Sequence, residues 1–378
     1  MHNSVEPIAM RAAVVREAGG EFLLENVRLG SIRPTEVLVR VVATGVCHTD
    51  MVVRNQDYSA PLPMILGHEG AGVVEAIGDD VTTVQVGDHV VMTYMSCGLC
   101  DTCESGHPAH CEHMGPLNFG GGRMDGSSAV TDAHGHLVHD HFFGQSTFAE
   151  YTIASERNVV CVPKDVPLEL VGPLGCGIQT GAGSVLNALK VHAGSSFVAF
   201  GTGAVGLSAI MAAKVAGATT IIAADVNPAR LELARELGAT HTINSRDEDA
   251  VARVREITGK GADFSLECSG RAQVLRQAID CLGIFGICGI VGATKEGTEV
   301  AFNVNDVMIP GRKIMGIVQG DVVAKTFIPV LINLYLQGRF PFDRLIKFYD
   351  FADINQAVED SERGITIKPV LRIASVAA

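Results

Sequence analysis

The sequence predicts a chain in two parts, a mainly β region followed by an α/β region built on a six-stranded parallel sheet. Three observations carry that expectation. Residues from about 10 to 95 run as short β-type segments, EVLVRVVATG, GAGVVEAIG and GDHVVMTY, separated by Gly, Pro and Asp turns. Beyond Gly194, strand-like runs alternate with helical patterns. Those runs are apolar almost throughout, as strands covered by helices on both faces must be. The 378 residues are enough for two or three domains of ordinary size.

In order along the second region, SSFVAF leads to a helix over Ala204–Ala216 and TTIIAA to one over Pro228–Leu237. HTIN precedes a helix near Asp247–Thr258, and FSLECS precedes Ala272–Cys281. GIFGICGI and KIMGIVQ complete the six strands. After Asp321 come a long helix (Val322–Leu336), a strand (Leu345–Asp350), a helix (Ala352–Arg363) and a last strand (Ile367–Ile373). This tail can extend the α/β region or pack back on the N-terminal part, and its pattern does not choose. Between the two regions, residues 97–145 are turn-rich, weakly periodic and full of His and Gly.

Composition excludes several classes. Hydrophobic residues make up 47% of the chain and the mean hydropathy is +0.26, which provides for a large core. A formal charge of −13, with no Lys/Arg run, argues against nucleic acid as a partner. No apolar stretch approaches the ~20 residues of a membrane helix. The richest, Gly283–Ala293, is short and broken by glycine, and reads as buried strand. The N-terminus lacks a basic start followed by a long apolar core, so a cytoplasmic location is expected. Ten cysteines in such a chain point to metal or catalytic use rather than disulfides. Cys161, Cys268, Cys281 and Cys288 lie in apolar runs and read as small buried hydrophobes.

GTGAVG, Gly201 to Gly206, follows an expected strand and opens an expected helix. Gly201 permits a tight turn, Gly203 lets backbone approach a pyrophosphate, and Gly206 allows close helix–strand packing. The helix N-terminus offers free N–H groups to phosphate. Asp225 ends the next strand, where a carboxylate accepts hydrogen bonds from ribose hydroxyls and repels a 2′-phosphate, favouring NAD over NADP. Arg230 is a nearby cation that blunts this preference.

Cys97, Cys100, Cys103 and Cys111 form C-x2-C-x2-C-x7-C. Four thiolates so spaced close a tetrahedral shell around a structural zinc with no open position. An iron–sulfur cluster takes four Cys too and is the weaker candidate. His107, His110 and His113 read as solvated loop residues beside a complete set. A second constellation is scattered over three glycine-rich motifs: Cys47 in GVCHTD, His68 and Glu69 in GHEGAGVVEAIG, and Cys176 in GPLGCGIQTG. Two thiolates and one imidazole leave a fourth position open, which suits a catalytic zinc. Asp50 is expected to hold the far nitrogen of His68. Glu69 joins the set as a ligand or a supporting carboxylate behind the metal.

GHEGAGVV, the four-Cys lobe and GTGAVG occur here in the order and spacing of the zinc-containing medium-chain alcohol dehydrogenases, and the chain resembles that family over nearly its whole length. The resemblance implies a mainly β GroES-like catalytic domain over residues 1–177 with a structural zinc lobe at 96–112. It implies an NAD-binding Rossmann domain over 178–321 and a return of 322–378 to the catalytic domain, with the active site in the cleft between. Two zinc ions per subunit and NAD are the implied cofactors. The implied reaction is reversible, zinc-assisted hydride transfer between an alcohol and NAD, giving an aldehyde.

Under the resemblance, Thr49 accepts the alcohol proton and opens a relay to solvent. His48 contacts the coenzyme pyrophosphate, and Lys368 in GITIKPVL is a second such contact. The catalytic set becomes Cys47, His48, Thr49, His68 and Cys176, and the coenzyme contacts add Ala204, Val205 and Val291 to the glycines, Asp225 and Arg230. Many members carry a His five residues after the first Cys ligand. Here that position is Val52, so the relay ends at the ribose hydroxyls and water, or at His48.

Within the family the chain is most similar to aryl-alcohol (benzyl-alcohol) dehydrogenases, through CHTDMVV, PLGCGIQTGAG and HFFGQSTFAEY. Tyr94 and Phe148 are candidates to line an apolar pocket, or core residues. His134–His141 reads as a solvated loop. Allylic terpenoid alcohols, aliphatic alcohols and the glutathione adduct of formaldehyde are the competing substrates. A non-catalytic coenzyme-binding protein is a remote alternative, since the zinc ligands and Thr49 are all kept. The resemblance also implies a homodimer or homotetramer, with the sheet edge near Gly283–Ala293 as its contact.

Overall fold

The computed structural model describes residues 7–375. The chain divides into two compact units. One is built from the chain up to Cys176, Val323–Pro329 and the chain from Asp343; the other comprises Gly177–Val322 and Val330–Phe342.

The first unit holds two sheets. In the larger, of seven strands, Glu36–Gly45 is central. It is buried at nine of its ten positions, so it reads as a continuous apolar run rather than an alternating one. It pairs antiparallel with Glu69–Ile77, Tyr151–Ser155 and Lys368–Arg372. The last of these pairs in parallel with Ile346–Asp350, so the tail strands complete the sheet that carries the N-terminal motifs. Val37, Val39, Val74, Val90, Met92, Ala154 and Val159 form a core against it. The smaller sheet runs Met64–Ile65, Ile8–Val15, Leu23–Leu29, Val130–Asp132, Leu137–Val138.

The second unit is a six-stranded sheet, parallel throughout. Its spatial order is His241–Asn244, Thr220–Asp225, Ser196–Phe200, Ala262–Glu267, Leu282–Ile290, Lys313–Gly316. The first strand in sequence, Ser196–Phe200, therefore sits at the centre, where the winding reverses. In such sheets the crevice beyond the carboxyl ends at that reversal binds ligands. Val198, Phe200, Ile222, Ala224, Ile243, Val254, Ala278 and Leu282 fill its core.

Local chemistry sets the helix starts. Asn227 caps Pro228–Leu237 by accepting from the Ala229 and Arg230 amides. Asp249 caps the next helix through the Val251 and Ala252 amides, so it begins at Ala250 rather than at the expected Asp247. Two further expectations need correction. Cys161 is exposed, because it ends Val159–Cys161, an edge strand from which the chain leaves at Pro163. The run Gly283–Ala293 is not wholly buried: Ile284 and Phe285 are 74% and 75% exposed. The register explains this, since Ala262 pairs with Leu282 but Phe264 with Ile287, which pushes the intervening residues out as a bulge. Among the described residues no helix is long and apolar enough to cross a membrane.

Candidate active site and metal centres

Cys47 follows the central strand Glu36–Gly45 and caps the short helix His48–Arg54. His68 lies at the head of the neighbouring strand Glu69–Ile77, and Cys176 follows the turn Gly172–Gly175. Ligand atoms of Cys47, His68, Glu69 and Cys176 all lie within 4.8 Å of one another. Gly45 makes this approach possible: a Cβ there would stand 2.0 Å from Glu69 Oε2.

Asp50 organises two members of the set. Its Oδ1 accepts from His68 Nδ1 at 2.9 Å and from the Gly67 amide at 3.1 Å, while Oδ2 accepts from the Cys47 amide at 2.8 Å. With Nδ1 so engaged, Nε2 of His68 faces Cys47 and Cys176. It is buried and, among the described residues, has no hydrogen-bond partner. An imidazole nitrogen left so would be costly, and a metal ion is the group that satisfies it beside two thiols. The donor set thus fits zinc, with Asp50 fixing the tautomer.

The electrostatics are tightly linked. The hydrogen bond with Cys176 pulls the Cys47 thiol well below the usual thiol range, against burial, and Lys368 and His68 assist. Burial opposes a charge on His68, but Asp50 outweighs it and lifts the imidazole to about 10. Burial pushes Glu69 up to about 6, despite Lys368. Lys368 Nζ lies 2.8 Å from each Glu69 carboxylate oxygen and 3.1 Å from the Val46 carbonyl. Lys368 is buried, and its own ammonium is favoured by Glu69 and Cys47 despite that burial. The structure therefore seats Lys368, expected among the coenzyme contacts, on the carboxylate behind the Cys47–His68 pair. Sequence reasoning missed this ion pair, because 299 residues separate its partners.

Aromatic rings enclose His68. Phe143 stacks on it at 4.5 Å and 23°, and Phe142 meets it edge-on at 5.3 Å. Phe119 packs edge-on against both. Phe148 is fully buried against Phe22, 5.4 Å away. Tyr94, also buried, borders a small cavity of about 130 Å³ with Thr93, Ser96, Arg157 and Lys325. Thr49 Oγ1 lies 3.9 Å from Cys47 Sγ, His48 is exposed, and Val52 is buried. The histidine-rich stretch splits: His134 and His136 are exposed, but His141 is buried with Nδ1 2.7 Å from Asp140.

In the four-Cys lobe all four sulfurs lie within 4.8 Å of one another. Cys97 and Cys103 are 4.0 Å apart, and Cys100 and Cys111 3.9 Å. A regular tetrahedron with metal–sulfur bonds of about 2.3 Å requires about 3.8 Å. Backbone amides of Leu99 and Cys100 point at Cys97 Sγ, and those of Cys97 and His113 at Cys111 Sγ. The Thr102 hydroxyl, 3.1 Å from Cys100 Sγ, holds that thiol down at about 5. The lobe fits a closed zinc site.

In the second unit, Gly201 takes φ +94°, and a Cβ on Gly206 would stand 1.9 Å from the Gly201 carbonyl. The turn thus needs both glycines, and the helix Ala204–Ala216 starts directly after Gly203. Asp225 Oδ2 accepts from the Thr202 amide and hydroxyl at 2.6 and 2.7 Å, and Oδ1 from the Val226 and Asn227 amides. Val291 donates its amide to the Glu267 carbonyl. Arg230 is half-buried, its Nε without a partner among the described residues.

Residues 33–164 match the alcohol dehydrogenase GroES-like domain, and residues 204–335 match zinc-binding dehydrogenase. An alcohol dehydrogenase zinc-binding domain protein from Burkholderia ambifaria shares 58% identity, with a TM-score of 0.96 over 98% of this chain and 100% of that one. The benzyl alcohol dehydrogenase of Acinetobacter calcoaceticus shares 53%, with a TM-score of 0.95 over 97% and 100%. The geraniol dehydrogenase of Castellaniella defragrans is 44% identical over 372 residues, 98% of this chain and 100% of the relative. With that likeness running the length of the chain through both metal sets and the glycine turn, the protein belongs to the zinc-containing medium-chain alcohol dehydrogenase family.

Proposed function

We propose that the protein oxidises a primary alcohol reversibly to its aldehyde with NAD, and that the alcohol is of the aryl, benzyl type. The observation that carries the reaction is the partnerless Nε2 of His68 facing two thiols, with Asp50 behind it. The substrate class is supported by the 53% identity to a benzyl alcohol dehydrogenase and by the rings of Phe142, Phe143 and Phe119 around His68. The 44% identity to a geraniol dehydrogenase favours a second reading, an allylic terpenoid alcohol.

Zinc bound by Cys47, His68 and Cys176 supplies Lewis acidity toward an alcohol oxygen, and nicotinamide supplies the hydride acceptor. The chain does the rest. Asp50 fixes the His68 ring. Thr49 would accept the alcohol proton and pass it outward; buried Val52 offers no acceptor, so exposed His48, or the ribose hydroxyls of a bound coenzyme and water, would take the proton on. Gly201, Gly203 and the amides after them would receive the pyrophosphate of a bound coenzyme, with Ala204, Val205 and Val291 as its further contacts. Asp225 accepts from the ribose and disfavours a 2′-phosphate. Glu69 stands behind the metal set, held by Lys368.

The protein acts as a homodimer or homotetramer. Exposed Ile284, Phe285, Met308 and Ile309 in the second unit are the apolar surface that supports this. Its location is the cytoplasm, a reducing compartment in which the thiolates of the two metal sets are kept available. Purified zinc-replete protein, given NAD or NADP with benzyl, cinnamyl, geranyl, hexyl and ethyl alcohols and hydroxymethylglutathione, tests the reading by NADH or NADPH formation. Highest kcat/KM for benzyl and cinnamyl alcohol with NAD is expected. Preference for geraniol moves the substrate to the terpenoid class, and no turnover with any alcohol overturns the reaction.

A further inference from the structure

Gln145, 1% exposed, lies in the segment that also carries Phe142 and Phe143. All of its carboxamide is used. Nε2 donates to the His68 carbonyl at 3.0 Å and to the Thr93 carbonyl at 3.1 Å, and Oε1 accepts from the Gly70 amide at 3.3 Å. Thr93, equally buried, donates its hydroxyl to the Gly175 carbonyl at 2.7 Å. Gly175 immediately precedes Cys176. A continuous path of side-chain hydrogen bonds therefore runs from the backbone of one candidate metal ligand, His68, to the backbone beside another, Cys176. Asn158 braces the path, donating Nδ2 to the Thr93 carbonyl at 3.1 Å and accepting the Thr93 amide on its own carbonyl.

We propose that Gln145 and Thr93 are positioning residues that set the spacing of His68 and Cys176 around the catalytic zinc, and so govern how tightly that ion is held. The inference rests on the zinc reading of the Cys47–His68–Cys176 set. Asp50 fixes the His68 ring from its far nitrogen; Gln145 fixes the main chain from which that ring projects. Neither Gln145 nor Thr93 belongs to the candidate ligand set. Their effect passes through backbone, since a buried carbonyl that loses its donor moves to find another. On the Cys176 side, the Thr93 hydroxyl holds the Gly175 carbonyl and so supports the main chain that carries that thiol.

The test uses the full-length zinc-loaded protein and its variants Gln145→Met, Thr93→Val and Thr93→Ser. Zinc release to a chromogenic chelator is followed over time, with the four-Cys ion as the internal reference and Cys47→Ser identifying the phase that belongs to each site. Gln145→Met and Thr93→Val should each release the catalytic ion faster by on the order of tenfold, the usual scale for lost support of a metal ligand. The four-Cys ion should leave at the wild-type rate, and Thr93→Ser, which keeps the hydroxyl, should behave as wild type. With cobalt in place of zinc, the visible bands of the Met and Val variants should shift. Unchanged catalytic-site release and spectra in both variants overturn the proposal, as does equal acceleration at both sites, which would mark a general loss of stability. A wild-type protein that binds fewer than two zinc ions instead overturns the metal reading itself.

Discussion

Asp50 and His68 form a fully buried pair, with Asp50 Oδ1 2.9 Å from His68 Nδ1, and the same carboxylate holds the Cys47 amide through its other oxygen. One side chain thus orients two of the three candidate zinc ligands.

Asp50→Asn keeps the shape of this contact and removes its charge. It should lower zinc affinity and kcat/KM by roughly 10–100-fold, the range seen when the partner of a ligand histidine is altered. Zinc titration and steady-state kinetics on the same preparation check both. Equal values in mutant and wild type would show that the Gly67 and Cys47 contacts alone hold the site.

The Lys368–Glu69 pair should behave as a buried ion pair does. Lys368→Met strands the Glu69 carboxylate and should cost about 3–5 kcal/mol. Adding Glu69→Gln should recover part of that loss. Urea unfolding of the zinc-loaded single and double variants measures the difference.

Cys111→Ser should reduce bound zinc from two ions to one while leaving Cys47, His68 and Cys176 intact. A closed zinc site contributes folding free energy directly, so the melting temperature should fall by about 5 °C or more, the scale of a few kcal/mol in domains of this size. Metal analysis and calorimetry give the two readouts. A variant with one zinc and an unchanged melting temperature would deny the lobe a structural role.

Asp225 is held by four donors, which keep its carboxylate in place at the end of Thr220–Asp225. Asp225→Ser should shift the NAD-to-NADP ratio of kcat/KM toward NADP by about tenfold or more, equivalent to about 1.4 kcal/mol. Half-buried Arg230 would then meet the 2′-phosphate unopposed. An unchanged ratio would locate coenzyme choice elsewhere.

Much of this was legible in the sequence because the signals are local. Apolar runs alternating with helical patterns predicted the six parallel strands, and CxxCxxC predicted a sulfur cluster whose members lie close in the chain. Caps and bulges moved the details: Asp249 delays a helix, and the extra residues between Leu282 and Ile287 expose Ile284 and Phe285. Gly177–Gly183 is helical although GIQTGAG carries three glycines, residues that disfavour helix interiors. The structure supplies the reason: a Cβ on Gly181 would stand 2.1 Å from the Val205 carbonyl, so glycine there serves helix packing rather than a turn. GITIKPVL drew attention to Lys368 and HFFGQSTFAEY to the segment of Phe143 and Gln145, but the contacts of Lys368 with Glu69, Phe143 with His68, and Gln145 with His68 and Thr93 had no signal. Each is a meeting of residues distant in sequence whose types, a lysine, a phenylalanine and a glutamine, are unremarkable alone.

The proposed reaction places the alcohol oxidation on zinc at Cys47, His68 and Cys176. Stripping only the chelator-labile zinc, leaving the four-Cys ion, and following NADH formation from benzyl alcohol as zinc is added back tests this. Activity should vanish with that one ion and return in proportion to its reoccupation, and His68→Ala should not recover. Full turnover with the four-Cys ion alone, or in His68→Ala, would contradict the account.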